Sequence, residues 1–239
     1  MSSMIAMCVY ATQENKKFEI AKKCIKSLMD TVDLTKHRLI IINQKSTLEC
    51  KLWLSELATK DVITVMNLSY NIGTARGINL ALGQRNIGET CIKCDDDLSW
   101  DAPGWVEKME DEIKKRPEIG ILGLKRDDVY GEFMPQGNLL WSHDIFGTCT
   151  MYNPLLLDKV GFLSQCSPRY GFDDTIFSVR SEAAGFRNAF MKNIRIENLD
   201  LKETPYTEWK RREAGTYLQE ASQYMDLIRK GELPYYYED

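Results

Sequence analysis

The sequence predicts a single α/β domain built on a largely parallel sheet, and three observations carry that prediction. Short apolar runs recur about every 20–30 residues, at 5–10, 39–42, 62–66, 89–94 and 119–124, too short for helices and flanked by polar loops. The segments between them keep apolar residues three and four apart, the period of a helix with one buried face, so strand and helix alternate as in βα units. The 239-residue chain is 44% apolar and 28% charged with few Pro and Gly, which excludes disordered, collagenous and coiled-coil classes.

Each element follows from its own pattern. After the first strand, Phe18, Ala21, Cys24, Ile25, Leu28 and Met29 form one apolar stripe through a Lys-rich segment. Residues 39–42 are apolar throughout and read as a fully buried strand, with a helix at 48–58 behind it. The third strand, 62–66, leads into a loop at 71–73 that becomes a helix reaching Leu82; the fourth, 89–94, runs straight into Asp95-Asp96-Asp97. Asp101 is the expected N-cap of a helix through Lys114, with Pro103 in its first turn, and 119–124 is the fifth strand. From 130 to 152 the pieces shorten and are broken by Gly131, Gly137 and Gly147, which predicts antiparallel strands added to the parallel set. Asn153-Pro154 caps a short helix, 173–184 is another helix closed by Gly185, and 189–196 is a last strand before a tail rich in Lys, Glu and Tyr. No repeat or linker interrupts residues 1–200, and residues 201–239 are expected to pack on the same domain as a helical tail.

Thirty-one basic residues against 35 acidic ones give a net charge of −4, which argues against a chain that coats nucleic acid or an anionic membrane. The N-terminal stretch carries no Lys or Arg and turns polar after Ala11, so neither a signal peptide nor a membrane span is expected and the cytoplasm is the expected compartment. Seven scattered cysteines fit reduced, buried thiols. Cys91 and Cys94 match a C-x-x-C pattern, but a separation of three in a strand puts them on opposite faces, which disfavours a metal or redox pair.

The feature that points to chemistry is Asp95-Asp96-Asp97 directly after a buried strand. Two carboxylates about 4 Å apart repel by roughly 4 kcal/mol at an effective dielectric near 20, so three in sequence call for compensation. A bound Mg2+ or Mn2+ supplies it, and open α/β sheets bind ligands outside the carboxyl ends of their strands, where this cluster falls. A solvated turn or helix cap before Trp100 and Pro103 is the bland alternative.

The wider pattern, Asn71-x-Gly73-x-x-Arg76-x-x-Asn79, then a strand, then Asp95-Asp96-Asp97, resembles the nucleotide-binding half of glycosyltransferases with the GT-A fold, family two in particular. Downstream, Tyr170-Gly-Phe-Asp-Asp-Thr-Ile-Phe-Ser-Val-Arg-Ser-Glu-Ala-Ala-Gly-Phe186 is similar, without a gap, to that family's acidic pair with its following arginine and glycine; Asp173, Asp174, Arg180 and Gly185 take those places. Residues 146–152 and 160–162 resemble the stretch before the pair, and the likeness spans residues 4–197. It implies the GT-A fold, a Rossmann-like mixed and mostly parallel sheet flanked by helices, with residues 1–97 as the nucleotide-sugar half and 98–200 as the acceptor half.

The same resemblance implies a metal-dependent transfer of a sugar from a nucleoside diphosphate sugar, a UDP-sugar first, to a hydroxyl acceptor with inversion. Asp97 would ligate Mn2+ or Mg2+ bridging the donor diphosphate, and Asp95 would share the metal or face the ribose. Asp96, counted with the donor site, is expected to point away by strand-like alternation. Asp174 aligns with the general base, and Asp173 would hold the acceptor or begin the helix; helix capping is the structural alternative for both. Gly73 would allow a close backbone approach, and Arg76 and Asn79 would position the donor, although Arg76 suits pairing with the triplet equally well. Asn43 stands where many members carry an Asp that reads the nucleobase, and Thr12 is a weaker donor contact. The C-terminal His that often completes the metal site is missing; Glu197, Asp200 or a water is expected in its place, and His143 is read as structural or acceptor-side. The tail aromatics and bases, Trp209-Lys-Arg-Arg212 among them, suit either a packed helix or an acceptor lid. Small-molecule, glycan, protein and modified nucleic-acid-base acceptors all stay open. So do two other functions, nucleotidyl transfer and non-catalytic nucleotide-sugar binding.

Overall fold

The computed structural model describes residues 2–59, 61–164, 171–200 and 205–236, without the side chains of residues 205 and 206. Tyr170 of the acidic motif and Cys166 fall outside these residues.

The parallel half forms first along the chain. Strands β1 (Ser3–Val9), β2 (Arg38–Gln44), β3 (Ile63–Leu68) and β4 (Thr90–Cys94) are joined by helices α1 (Phe18–Thr31), α2 (Leu48–Leu57) and α3 (Thr74–Leu82). Period-two alternation divides the core: Ile5, Met7, Val9, Leu39, Ile41 and Cys94 face one hydrophobic cluster, while Met4, Ala6, Ile40, Ile42 and Cys91 face the other. The C-x-x-C pair is thereby split across the sheet. α1 buries the stripe Ala21, Cys24, Ile25 and Leu28 on the first face, and α3 buries Ala75, Ile78, Ala81 and Leu82 on the second.

After β4 comes a strand the sequence pattern does not announce, β5 (Leu98–Trp100), followed by α4 (Trp105–Lys115) and β6 (Ile119–Arg126). The N-cap of α4 is Gly104 in the left-handed region (φ 80°), not the expected Asp101. The chain turns after Pro103, and glycine takes that conformation without steric cost. The antiparallel pieces are β7 (Met134–Gln136), β8 (Leu139–Trp141) and β9 (Cys149–Tyr152). α5 (Pro154–Val160) is capped as expected by the Asn153 side chain, which accepts from Leu155 N–H at 3.0 Å. α6 (Asp173–Ala183), β10 (Arg187–Asn198) and α7 (Pro205–Arg229) complete the chain.

The sheet runs β3-β2-β1-β4-β9-β6-β10-β8-β7, with β5 paired to β10. β9 inserts antiparallel between β4 and β6, so the two halves share one continuous sheet. α7 packs Ala221, Met225 and Ile228 against Ile176 and Val179 of α6, the packed-helix alternative for the tail. Among the described residues no helix is long and apolar enough to cross a membrane.

Candidate functional site

Strands β1, β2 and β4 end at the same edge, and the loops leaving them enclose a cavity of about 820 Å³. Its wall takes Tyr10, Thr12, Glu14 and Lys17 from the loop after β1 and the start of α1, Asn71 and Gly73 before α3, and the whole acidic triplet after β4. The opposite wall is the first turn of α6, with Asp173 and Asp174, and the inner face of α7, with Trp209, Lys210 and Ala214. Six carboxylates and three lysines line the space.

The triplet does not alternate. The chain turns at Asp96-Asp97, which breaks the strand pattern, so Asp96 lines the cavity with its neighbours instead of pointing away. Asp95 is fixed through its backbone N–H, which donates to Thr148 O at 2.8 Å, and Asp97 O accepts from Leu199 N–H at 2.7 Å. Burial pushes the Asp95 carboxyl above its usual range against the pull of Lys93, and pushes that of Asp96 up to about 6 against Lys17.

Two buried lysines hold this charge together. Lys93 projects from β4 at 4% exposure, donates to Gly147 O, and lies 3.4 Å from Asp95 Oδ1. Burial favours its neutral amine, but Asp95, Asp173 and Asp174 outweigh that and keep the ammonium charged well above the ordinary lysine range. Lys17, at the N-cap of α1, places Nζ 3.2 Å from Asp97 Oδ2 and 2.8 Å from Asp200 Oδ2. Its ammonium is likewise held well above the usual range by Asp96, Asp97 and Asp200 against the cost of burial.

The acidic pair divides into two environments. Asp174 Oδ2 accepts from Gly147 N–H at 2.6 Å and anchors the loop that also binds Lys93. Asp173 is 6% exposed, and its Oδ2 has no hydrogen-bond partner among the described residues. Burial, then the negative neighbour Asp174, pushes its carboxyl up to about 7. Gly147 tolerates this crowding because it lacks a side chain: a Cβ there would sit 2.7 Å from Lys93 Nζ and 2.8 Å from Asp174 Cβ.

No protein-family model matches the sequence, and no curated protein does. Known structures do match. The mannosyltransferase PcManGT from Pyrobaculum calidifontis, in complex with GDP-Man and Mn2+, superposes with a TM-score of 0.69 over 89% of this chain and 60% of its own, at 15% identity. GalNAc-T7 with UDP, GalNAc and Mn2+ gives 0.67 over 94% and 50%, at 12% identity. TarS 1-349 from S. aureus, in complex with UDP-GlcNAc, gives 0.63 over 87% and 61%, at 15% identity. The fold is GT-A. At such identities the likeness is one of fold, and the chain spans half to three-fifths of the length of these structures.

Within the GT-A domain, the residues singled out from sequence separate. Asp95, Asp96, Asp97, Asp173, Asp174, Gly73 and Thr12 all line the cavity. Gly73 caps α3 with φ 89°, a backbone conformation suited to glycine. Asn43 does not reach the cavity: it is 2% exposed, its amide donates to Asn67 Oδ1 at 2.7 Å and its oxygen accepts from Ser46 N–H at 3.1 Å. Its hydrogen-bonding groups are thus engaged in holding the ends of β2 and β3. Asn79 is likewise turned away, clasping the backbone N–H and C=O of Leu163 at 2.9 and 2.8 Å. Arg76 is exposed and outside the lining, with no ion pair to the triplet. Glu197 is exposed on β10, whereas Asp200 meets Asp97 at Lys17. His143 pairs with Glu182 at 2.7 Å on the surface. Lys17, Lys93 and Gly147 escape sequence reading, because a lysine near a Lys-rich helix or a single lysine in a strand looks like a surface residue.

Asp97 Oδ2 and Asp200 Oδ2 converge on one cation position. Hard carboxylate oxygens suit Mg2+ or Mn2+, which binds through one or two carboxylates and completes its shell with water and substrate phosphate. Among the described residues, no three ligating side chains converge to hold a metal by themselves. The donor set therefore fits a metal shared with a phosphate-bearing ligand.

Proposed function

We propose that this chain is a glycosyltransferase that moves a sugar from a nucleoside diphosphate sugar to a hydroxyl acceptor, by direct displacement with inversion. One observation carries the reading: the triplet after β4 and the Asp173-Asp174 pair face each other across one cavity of nucleotide-sugar size at the ligand-binding edge of a GT-A sheet. UDP-sugars are the first donors to test. With Asn43 engaged inside the fold, base and ribose recognition falls to Tyr10, Thr12 and Asn71 on the cavity wall.

A divalent metal held by Asp97, with Asp200 and Asp95 beside it, would offset the charge of the departing diphosphate. The chain's own cations add to this, since Lys93 and Lys210 line the same space. The geometry favours Asp173 over Asp174 as the base. Asp173 keeps an oxygen with no hydrogen-bond partner among the described residues and its carboxyl, pushed up to about 7, matches the working pH, whereas Oδ2 of Asp174 is already engaged by the Gly147 N–H. In this reading Asp173 takes the acceptor proton and Asp174 positions the loop at Gly147.

A panel of nucleotide sugars with Mn2+, read as free nucleoside diphosphate, tests the proposal. Asp173→Asn is expected to lower kcat by about 10²-fold or more, with a smaller loss for Asp174→Asn. An active Asp173→Asn beside an inactive Asp174→Asn would return the base role to Asp174. Pyrophosphate release from a nucleoside triphosphate would support nucleotidyl transfer, and metal-independent binding without turnover a binding module.

A further inference from the structure

We infer that Lys17 is a tethered cation that occupies the position between Asp97 and Asp200 and that a divalent metal enters this site by displacing it. The inference rests on the metal-bridged donor site proposed above and adds a residue that sets how that site is filled.

The local backbone is organised to deliver this ammonium. Asn15 Oδ1 accepts from Thr12 N–H at 2.8 Å and from Lys17 N–H at 3.1 Å, while Asn15 Nδ2 donates to Tyr10 O at 2.8 Å. Lys16 takes a left-handed conformation, φ 53°, which a non-glycine residue adopts at a cost. The result is a compact turn that sets Lys17, 5% exposed, at the mouth of α1. A cation at a helix N-terminus faces the positive end of the macrodipole, so local helix electrostatics oppose it there. Two carboxylates from distant parts of the chain outweigh that cost: Asp97 after β4 and Asp200 after β10. The arrangement resembles a cation site already filled by an internal group.

The wider charge balance explains why an exchange would be useful. Six carboxylates and three lysines line the cavity, so even with Lys17 counted its lining stays negative and hostile to a diphosphate. A second, independent feature points to a ligand in the same cavity: Asp173, nine-tenths buried, has an oxygen with no hydrogen-bond partner among the described residues. A divalent ion between Asp97 and Asp200 brings one more positive charge than the ammonium it replaces, and the released ammonium stays tethered at the cavity wall, within reach of phosphate oxygens. The site would then hold metal weakly until a phosphate-bearing ligand supplies the remaining ligands and receives the displaced lysine.

The experiment measures Mn2+ binding to the full chain without nucleotide, by electron paramagnetic resonance of free Mn2+. Lys17→Met and Lys17→Gln remove the charge while keeping a stem of related shape, and circular dichroism verifies that each variant folds. Each folded variant is expected to bind Mn2+ about tenfold or more tightly than wild type, and adding Asp97→Asn is expected to abolish the gain. Affinity equal to or weaker than wild type in the folded variants would overturn the inference, as would a gain that survives Asp97→Asn. No sugar donor enters this measurement. Tighter binding in a chain that turns over no nucleotide sugar would refute the proposed activity and leave the exchange at Lys17 standing.

Discussion

Gly147 is the residue at which the two halves of the site touch, since its carbonyl receives Lys93 and its N–H donates to Asp174. Adding one methyl there puts a Cβ against both groups, so Gly147→Ala is expected to cost about 1–3 kcal/mol, read as a lower denaturant midpoint. Asp173 makes a second residue-scale prediction. Its folded carboxyl, pushed up to about 7, lies above its unfolded value near 3.8; its contribution is therefore fully present below that lower value and is lost as pH rises through about 7. Asp173→Asn removes the buried charge, so it is expected to gain about 1–2 kcal/mol over wild type at pH 8, with the gain shrinking toward pH 4. These carboxylates were legible in the sequence because acids in series after a buried strand are unusual. Their partners were not. Lys17 and Lys93 are buried cations with partners far away in sequence, Asp97 and Asp200 for the first and Gly147 for the second, and Asn43 reads as a ligand contact in sequence although Asn67 and Ser46 use its amide in the fold.

At the scale of elements, the parallel strands and amphipathic helices were readable because period-two and period-3.6 patterns record local burial. One departure, β5, depends instead on contacts far away in sequence. β5 is only three residues long and owes its existence to pairing with β10, to Trp100 N–H donating to Ser27 Oγ at 3.0 Å, and to stacking of Trp100 on Trp105 at 5.4 Å. That short strand, locked on both sides, fixes the exit of the acidic triplet. α7 is held differently. Arg180, fully buried on α6, donates to the backbone oxygens of Val160 and Phe162 at 2.7 Å and of Tyr235 at 2.6 Å, tying the chain beyond α7 to the end of α5. Arg180→Met would orphan these acceptors and is expected to cost about 3 kcal/mol or more, measured by urea unfolding. Ile228→Ala, at the α6–α7 contact, is expected to cost about 2–4 kcal/mol by the cavity it leaves. Because α7 also carries Trp209 and Lys210 onto the cavity wall, the tail serves both as packed helix and as part of the site.

At the scale of the whole molecule, one mixed sheet places two acidic clusters, separated by some 75 residues of chain, on opposite walls of one cavity. Sequence order hinted at this, but the insertion of β9 between β4 and β6, which brings the Gly147 loop between them, is a non-local pairing that no pattern in the chain displays. The small net charge of −4 hides the same concentration, since the lining of this cavity alone holds an excess of three carboxylates over lysines. If this edge holds a nucleotide-sugar donor through Asp97, as proposed, the decisive measurement is the rate at which nucleoside diphosphate is released from UDP-sugars and GDP-mannose in the presence of Mn2+, comparing wild type with Asp97→Ala. Wild type is expected to release nucleoside diphosphate and the variant to lose about 10²–10³-fold in rate; equal rates in the two proteins, or no release by wild type from any donor, would rule out donor binding through Asp97.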